Sequence, residues 1–127
     1  MAVYPGFNPT PLRAGDFPML SRPVTIASGA NAAGTVLKRG AVLGVVTTSS
    51  KLNLSVVAAT DGSQTPKAIL ATDVDASAAD VVAPAYYTGE FADLMMTFGT
   101  GHTQATVDAA FAASGQPIFI RKVGAVA

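Results

Sequence analysis

The stretch from residue 61 to residue 91 constrains the fold of this chain most strongly. It opens with a turn at Asp61-Gly62, continues into a short apolar segment at 68–71, and then enters a loop of small and acidic residues. A second apolar segment at 81–87 ends just before Gly89, with Phe91 two residues further on. Turn, short strand, loop and short strand in this order predict antiparallel β structure with brief connections.

Three further segments have the character of strands. Residues 24–26 and 41–46 are short apolar runs, and Ser28 to Asn31 between them has the composition of a turn. In residues 52–56 apolar and polar side chains alternate, which is the period of a half-buried strand. We expect Leu52, Leu54 and Val56 to face the core there, and the polar residues, including Ser55, to face solvent.

Pro84 lies inside the second apolar segment of the opening stretch. Proline has no backbone N–H to donate to a sheet, so its position predicts either an edge strand or a β-bulge. Tyr86 and Tyr87 follow closely, and an exposed edge beside two aromatic rings is prone to association unless something covers it. A neighbouring subunit could supply that cover.

One segment has a clear helical pattern. Residues 103–114 are rich in alanine, Thr103 can cap the N-terminus, and Gly115 provides a stop. Such a short helix is marginal alone, so it should pack through Val107 and Phe111. Residues 117–121 then predict a closing strand, whereas residues 91–98 fit either a helix or a strand.

Together these elements predict one mainly β domain of the α+β class: a small antiparallel sheet or barrel-like domain with one short helix and an extended N-terminal arm. The length of 127 residues suits a single core. We place the arm at residues 1–23 and the β-rich domain at residues 24–127.

The arm is set apart by its prolines. Five of the chain's eight prolines lie in residues 1–23, and each fixes φ and removes a backbone donor, so we expect extended structure without a sheet ladder of its own. The arm also carries several large apolar side chains, which solvated linkers usually lack. It could fold back on its own domain, or it could become ordered on the surface of a partner.

The scarcity of charge bears on assembly. Charged residues make up 13% of the chain, against about a quarter in ordinary globular domains. A folded monomer of 12.8 kDa exposes roughly 6,300 Å², and a standard interface hides roughly 800 Å² of each partner. We therefore expect an oligomer in which neighbouring copies cover part of the surface; the alternative is that small polar residues cover it adequately.

Residues able to perform chemistry are few. There is no cysteine, and the single histidine, His102, is expected to be a loop residue because no nucleophile and carboxylate pattern accompanies it. Asp73, Asp75 and Asp80 lack the glycine and glutamate typical of a calcium loop, so we expect a solvated loop. We therefore assign no catalytic, metal or cofactor site and predict that the protein is not an enzyme.

Charge and hydropathy limit the possible partners. The formal net charge is zero, which disfavours binding to nucleic acid. The first residues do not resemble a secretory signal, and the longest dense apolar runs are far too short to cross a bilayer. We expect a soluble protein made in the cytoplasm, with no membrane partner.

The order of these elements resembles the head decoration proteins of tailed bacteriophages, the lambda-type family. The opening stretch carries the resemblance, together with RGAVLG at 39–44 and DAAFAASGQPIFI at 108–120, so that it spans residues 24–123. The family pattern implies an extended segment after Gly89, so we favour a strand over 91–98. The arm is longer than the family pattern, and residues 97–103 do not match it.

The resemblance implies a structural virion protein. It would form a homotrimer on the outer surface of the expanded capsid, contact the major capsid protein and stabilise the shell against internal DNA pressure. The N-terminal segment engages the shell in this family, so the candidate capsid-contact residues are the large apolar side chains of the arm: Tyr4, Phe7, Leu12, Phe17 and Leu20. The alternative is a small β-rich carbohydrate- or peptide-binding module, with Tyr86 and Tyr87 as a sugar platform.

Overall fold

The computed structural model describes residues 19–121. Within that range the chain forms seven strands, one α-helix and a 3-10 turn at Asp93–Met95. In chain order the elements are β1 (Ser21–Ile26), β2 (Val42–Val45), β3 (Leu52–Leu54), β4 (Pro66–Leu70), β5 (Val81–Tyr86), β6 (Gly89–Ala92), α1 (Gln104–Ser114) and β7 (Ile118–Arg121).

Five of the strands close into a barrel in the order β1-β3-β2-β4-β5. The pairings are antiparallel except between β1 and β3, which run parallel and meet at the single pair Ile26–Leu52. The longest ladder joins β1 to β5 over six residue pairs, from Ser21–Tyr86 to Ile26–Val81. The predicted mainly β, barrel-like domain with one short helix is therefore confirmed.

The barrel interior is narrow, and alanine fills much of it. A five-stranded barrel leaves little room inside, so small side chains must alternate with branched ones. The loops at one end also contribute, because Leu37 and Val74 form an isolated antiparallel bridge and both side chains are buried. The buried interior consists of Ile26, Leu37, Ala41, Leu43, Leu52, Ala68, Leu70, Val74, Ala76, Ala83 and Ala85.

A second layer covers one outer face of the barrel. Strands β6 and β7 pair in parallel, and α1 packs beside them. Val42 on β2 and Ile69 on β4 point out of the barrel into this layer and are fully buried there. The remaining members of this second core are Phe91, Met96, Val107, Phe111, Ile118 and Ile120.

Helix α1 begins and ends as the sequence predicts. Thr103 caps it, with its hydroxyl accepting the N–H of Thr106, and the Thr106 hydroxyl accepts the N–H of Thr103 in return. Gly115 follows in the left-handed conformation at φ 72°, which favours glycine. Val107 and Phe111 are fully buried in the second core, as expected for a helix stabilised by packing.

Of the two positions predicted for Pro84, the edge strand is wrong, and the β1–β5 register runs through Pro84 without a bulge. Strand β5 is paired on both sides, with β1 and with β4. The barrel tolerates the proline because Pro84 faces Pro23 at a position of the β1–β5 ladder that requires an N–H from neither residue, and because the β4–β5 ladder ends one residue away, at Leu70–Ala85. The Pro84 carbonyl still accepts the N–H of Ala71 at 3.0 Å. This pairing also places Ser21 to Pro23 in β1, so the ladder reaches three residues into the segment that was expected to have none.

Two local patterns also end earlier than expected. Strand β3 stops at Leu54, and Ser55 is fully buried rather than facing solvent. Strand β6 ends at Ala92, and the 3-10 turn follows in place of a longer strand. Leu94 and Met95 are exposed, so the helical spacing of apolar residues in 91–98 does not correspond to a buried face.

Candidate functional site

The predicted capsid-contact residues fall in two groups. Tyr4, Phe7, Leu12 and Phe17 lie outside the described residues. Leu20 lies directly before β1, and the residue is 56% exposed. An exposed leucine at this position can contact a partner without rearrangement of the domain.

The backbone at Leu20 is held on both sides. Its N–H donates to the Thr88 hydroxyl at 2.8 Å, and its carbonyl accepts the N–H of Tyr87 at 2.8 Å. Met19 packs its side chain against the second core. Gly89 makes this packing possible, because a Cβ at that residue would lie 2.9 Å from Met19 Cγ. The chain therefore joins the domain at a fixed point, which we call the arm root (Met19 and Leu20).

The two tyrosines near the arm root each contact another side chain of the domain. Tyr86 is half-buried, and its ring centroid lies 5.6 Å from that of Phe91 in a tilted arrangement. The Arg22 guanidinium lies 5.4 Å from the centroid of the Tyr87 ring, a cation–π geometry. Each of the two rings therefore has one neighbour within the domain and remains partly exposed.

A second surface was not identified from the sequence as a site. On the outside of the β1–β5 ladder, Pro23 pairs with Pro84 and Thr25 pairs with Val82. These four residues, here called the ribbon face, point away from the barrel interior, and 70% of Val82 is exposed. The alternation of outward Val82 and Pro84 with inward Ala83 and Ala85 is the sequence signal that could have revealed it.

His102 lies between the barrel and the second layer. Its Nε2 is 3.1 Å from the Gln64 carbonyl and 3.2 Å from the Ser55 hydroxyl, and its Nδ1 is 3.2 Å from the Thr106 hydroxyl. A carbonyl only accepts, so Nε2 carries a proton and donates to Gln64. Ser55 is fully buried, so its hydroxyl cannot meet a substrate. The histidine is a loop residue, as predicted, that joins three segments by hydrogen bonds.

The acidic loop is held by its own carboxylates. Asp73 accepts the N–H of Arg39 at 2.7 Å, and Asp75 accepts from Ser77 and from the side chain of Asn31. Asp80 accepts the N–H of Ser28 at 2.8 Å and pairs with Lys51 at 2.5 Å. These contacts tie the β4–β5 loop to the β1–β2 loop at one end of the barrel.

Hydrogen bonding alters the acidity of two of these groups. The Ser77 hydroxyl donates a hydrogen bond to Asp75 and lowers the pKa of that carboxyl below its usual value. The backbone N–H of Ser77 and the side-chain amide of Asn31 lower it further. The Lys51 ammonium, aided by the Ser28 N–H, lowers the pKa of Asp80. Both carboxylates are therefore stabilised in the charged form by contacts that hold the loop.

Among residues 19–121, no group of three or more potential ligand side chains is placed to hold a metal ion. Within the same range, no helix is long and apolar enough to span a membrane. The arm root and the ribbon face each present an exposed apolar side chain, Leu20 and Val82.

Comparison with known proteins identifies a family for this chain. No curated protein matches the chain significantly. The family model described as bacteriophage lambda head decoration protein D matches residues 10–117, which is most of the chain and includes the arm root and the ribbon face. The chain therefore belongs to the family of the bacteriophage lambda head decoration protein D.

Proposed function

We propose that three copies of this chain form a trimer that binds the outer surface of the expanded phage head and stabilises it against the pressure of packaged DNA. Membership of the head decoration family gives the chain a structural role in the capsid. That membership, over residues 10–117, is the observation that carries the proposal. The low charge of the chain, 13% of residues, supports the part of it that concerns assembly.

The stabilisation follows from linkage. A protein that binds the expanded lattice but not the unexpanded or broken one lowers the free energy of the expanded state by its binding free energy. At a free concentration 100 times the dissociation constant this amounts to about 2.7 kcal/mol per site. The binding free energies of the many sites of a shell add up, so the expanded shell becomes harder to rupture without any chemical step.

The arm supplies the contact with the shell in this proposal. Its large apolar side chains, Tyr4, Phe7, Leu12, Phe17 and Leu20, would pack on the major capsid protein. The arm root supports this assignment, because hydrogen bonds to Tyr87 and Thr88 fix the point from which the arm extends. Three arms on one trimer would engage three neighbouring sites, and the resulting avidity can exceed the affinity of one arm by 10²-fold or more.

Deleting residues 1–18 tests the role of the arm. The deletion must end before Met19, because removal through residue 22 would also take the β1 residues that pair with Tyr86 and Ala85. We expect the shortened chain to fold and assemble as the full chain does, but to bind expanded heads at least about 100-fold more weakly. Sedimentation of the protein with purified expanded heads measures this.

The control for this deletion is a full-length chain with Val36→Ser, a residue that is 44% exposed and lies far from the arm in sequence. It should bind heads like the unchanged protein. Binding of the shortened chain at full affinity would contradict the assignment of the arm.

A further inference from the structure

We propose that Asp61 is the residue of this chain that isomerises spontaneously to isoaspartate, and that the Gln64 side chain holds the site in an unreactive form. The inference goes beyond the proposed role on the phage head and does not depend on it. Asp61-Gly62 is the chain's one Asp-Gly pair, and the sequence contains no Asn-Gly pair. These two dipeptides form succinimides most readily, because glycine has no Cβ to hinder the attacking nitrogen.

The reaction needs no reactant other than water. The backbone nitrogen of Gly62 loses its proton and bonds to the side-chain carboxyl carbon of Asp61, while the protonated carboxyl loses its hydroxyl. One water molecule leaves, and a succinimide ring closes. Water then adds across one of the two ring C–N bonds. Opening beside the backbone carbonyl carbon routes the chain through the side chain and gives isoaspartate, whereas opening at the other bond restores aspartate.

The fold requires both residues of this reactive pair. Gly62 has φ 103°, in the left-handed region that favours glycine, and a Cβ there would lie 2.1 Å from Thr47 Oγ1 and 2.9 Å from the Val45 carbonyl oxygen. The Asp61 carboxylate accepts the Ser63 N–H at 3.0 Å and the Ser63 hydroxyl at 2.6 Å, and Ser63 is buried. The turn therefore keeps the pair and restrains it in place.

The first restraint acts on the attacking nitrogen. The Gly62 N–H donates to Gln64 Oε1 at 2.9 Å. An amide oxygen accepts this hydrogen but does not remove it, so the nitrogen stays protonated with its hydrogen directed at Gln64. The backbone of Gln64 is held independently of its side chain, because its carbonyl accepts from His102 Nε2 at 3.1 Å. Replacing the side chain therefore leaves the link between the two layers in place.

The second restraint acts on the carboxyl group. Only the neutral acid can lose its hydroxyl as part of a water molecule, and a carboxylate is a poor electrophile. The Ser63 hydroxyl, aided by the Ser63 N–H, lowers the pKa of the Asp61 carboxyl below its usual value. The neutral acid is therefore rarer in the folded chain than in the unfolded one. Asp61 is exposed, so water can reach the ring once it has formed.

Isomerisation at this turn would disturb both layers of the domain. It inserts one extra carbon into the backbone and converts the Asp61 carbonyl, which accepts the Thr47 N–H at 2.8 Å, into a charged carboxylate. The carbonyl that accepts from His102 belongs to Gln64, three residues further on. A shift of this segment would therefore weaken the contact of the second layer with the barrel.

The experiment ages full-length protein at physiological temperature and pH and follows isoaspartate at residue 61. Peptide mapping by chromatography and mass spectrometry separates the isomers, which have equal mass. We expect Gln64→Ala to form isoaspartate about 5- to 10-fold faster than the unchanged chain, the size expected from loss of one hydrogen bond. Gln104→Ala is the matched control, because it removes a glutamine whose side chain donates to Ile120 in the second layer, and it should age like the unchanged chain.

A second comparison uses the unchanged chain alone, so it holds even if Q64A folds poorly. Unfolding in guanidinium frees both the nitrogen and the carboxyl group. The unfolded chain should therefore form isoaspartate at residue 61 at least about 10-fold faster than the folded chain. His102→Ala serves as a further control, because it loosens the same segment but keeps the Gln64 side chain, and it should age more slowly than Q64A.

The remaining outcomes each overturn the inference. If the unfolded chain forms no isoaspartate at residue 61, Asp61 is not the site. Equal rates in the folded and unfolded chains would show that the turn does not restrain the reaction. If Q64A ages like the unchanged chain, the Gln64 side chain is not the restraint. If H102A ages as fast as Q64A, loosening of the segment sets the rate, and the lost contact with the Gly62 N–H does not.

Discussion

The two outer faces of the barrel differ in what covers them. On the β2–β4 side, Val42 and Ile69 point outward and are fully buried beneath α1, β6 and β7. On the β1–β5 side, Val82 also points outward from a barrel strand, yet 70% of it is exposed. The last 30 or so described residues, which form β6, α1 and β7, cover the β2–β4 face. The β1–β5 face stays open, although the side chains of both faces are uncharged.

This difference teaches that exposure of an apolar side chain here follows from topology and not from the strand itself. Each strand alternates inward and outward residues in the same way. The second layer is attached through β6, which follows β5 after two residues, and it folds across β4 and β2. The low proportion of charged residues, 13% of the chain, is the observation that supports the proposed assembly.

The largest expected effect is on the free energy of unfolding, and it tests the contrast between the covered and the open face directly. Phe111→Ala should destabilise the fold by about 3–5 kcal/mol, because the ring is fully buried in the layer that covers β2 and β4. Val82→Ala should change stability of the dissociated monomer by less than about 0.5 kcal/mol. Unfolding by guanidinium at a concentration where the protein is monomeric measures both.

If V82A cost the monomer as much as F111A, the two faces would be equally buried and the contrast would be wrong. V82A also serves as the control for F111A, since both variants replace an outward apolar side chain with alanine.

Much of the fold was predictable because its signals are local. The N-terminal cap of helix α1 at Thr103 depends on residues of the first turn, and its stop at Gly115 depends on residues of the last turn. The two strands predicted in the opening stretch depend on short apolar segments bounded by nearby turns, and β4 and β5 formed there.

The features that were mispredicted depend on distant partners. Pro84 has the pattern of an edge residue, but closure of the barrel pairs it with Pro23, 61 positions earlier. Ser55 has the pattern of a solvent-facing residue, but it is buried against His102, 47 positions later. Neither partner can be inferred from the residues next to Pro84 or Ser55.

The candidate site divides in the same way. Leu20 could be proposed because its apolar character and its position before β1 are evident from the sequence. The outward direction of Val82 could also have been inferred. The sequence does not show that the second layer covers the opposite side of the barrel, because this depends on how β6 and α1 pack.

A smaller effect is expected where the covering layer is tied to the barrel. His102→Ala removes the donor to the Gln64 carbonyl and leaves the buried Ser55 hydroxyl without the ring beside it. A buried polar group that loses its partner costs about 1–3 kcal/mol. Chemical denaturation should therefore show H102A less stable than the unchanged protein by that amount.

His102→Gln is the matched variant for this prediction, because its amide can still donate to Gln64, and it should recover part of the loss. Hydrogen exchange should locate the weakening in α1 and the loop before it rather than in β1 and β5. A uniform increase in exchange over the whole barrel would show that His102 does not join the two layers specifically.

The smallest effect concerns the loops at the end of the ribbon face, and it depends on pH. Contacts with Ser77 and Lys51 lower the pKa values of Asp75 and Asp80 in the folded protein. The folded state therefore binds fewer protons than the unfolded state in this range. The stability they contribute is complete above the ordinary carboxyl pKa of about 3.9 and is lost as pH falls through the lowered values. Thermal unfolding between pH 6 and pH 2 measures this loss.

Asp80→Asn removes one ionisable group together with the Lys51 pair, so it should flatten the pH dependence of the melting temperature below about pH 4. Both groups are exposed, so the shift should be small beside that of F111A. Because Ser28 follows β1 and Asp80 precedes β5, acid should loosen the uncovered side of the barrel before the covered one. Hydrogen exchange at acidic pH that rises first in α1 and β7 would contradict this order, since it would place the weaker side beneath the second layer.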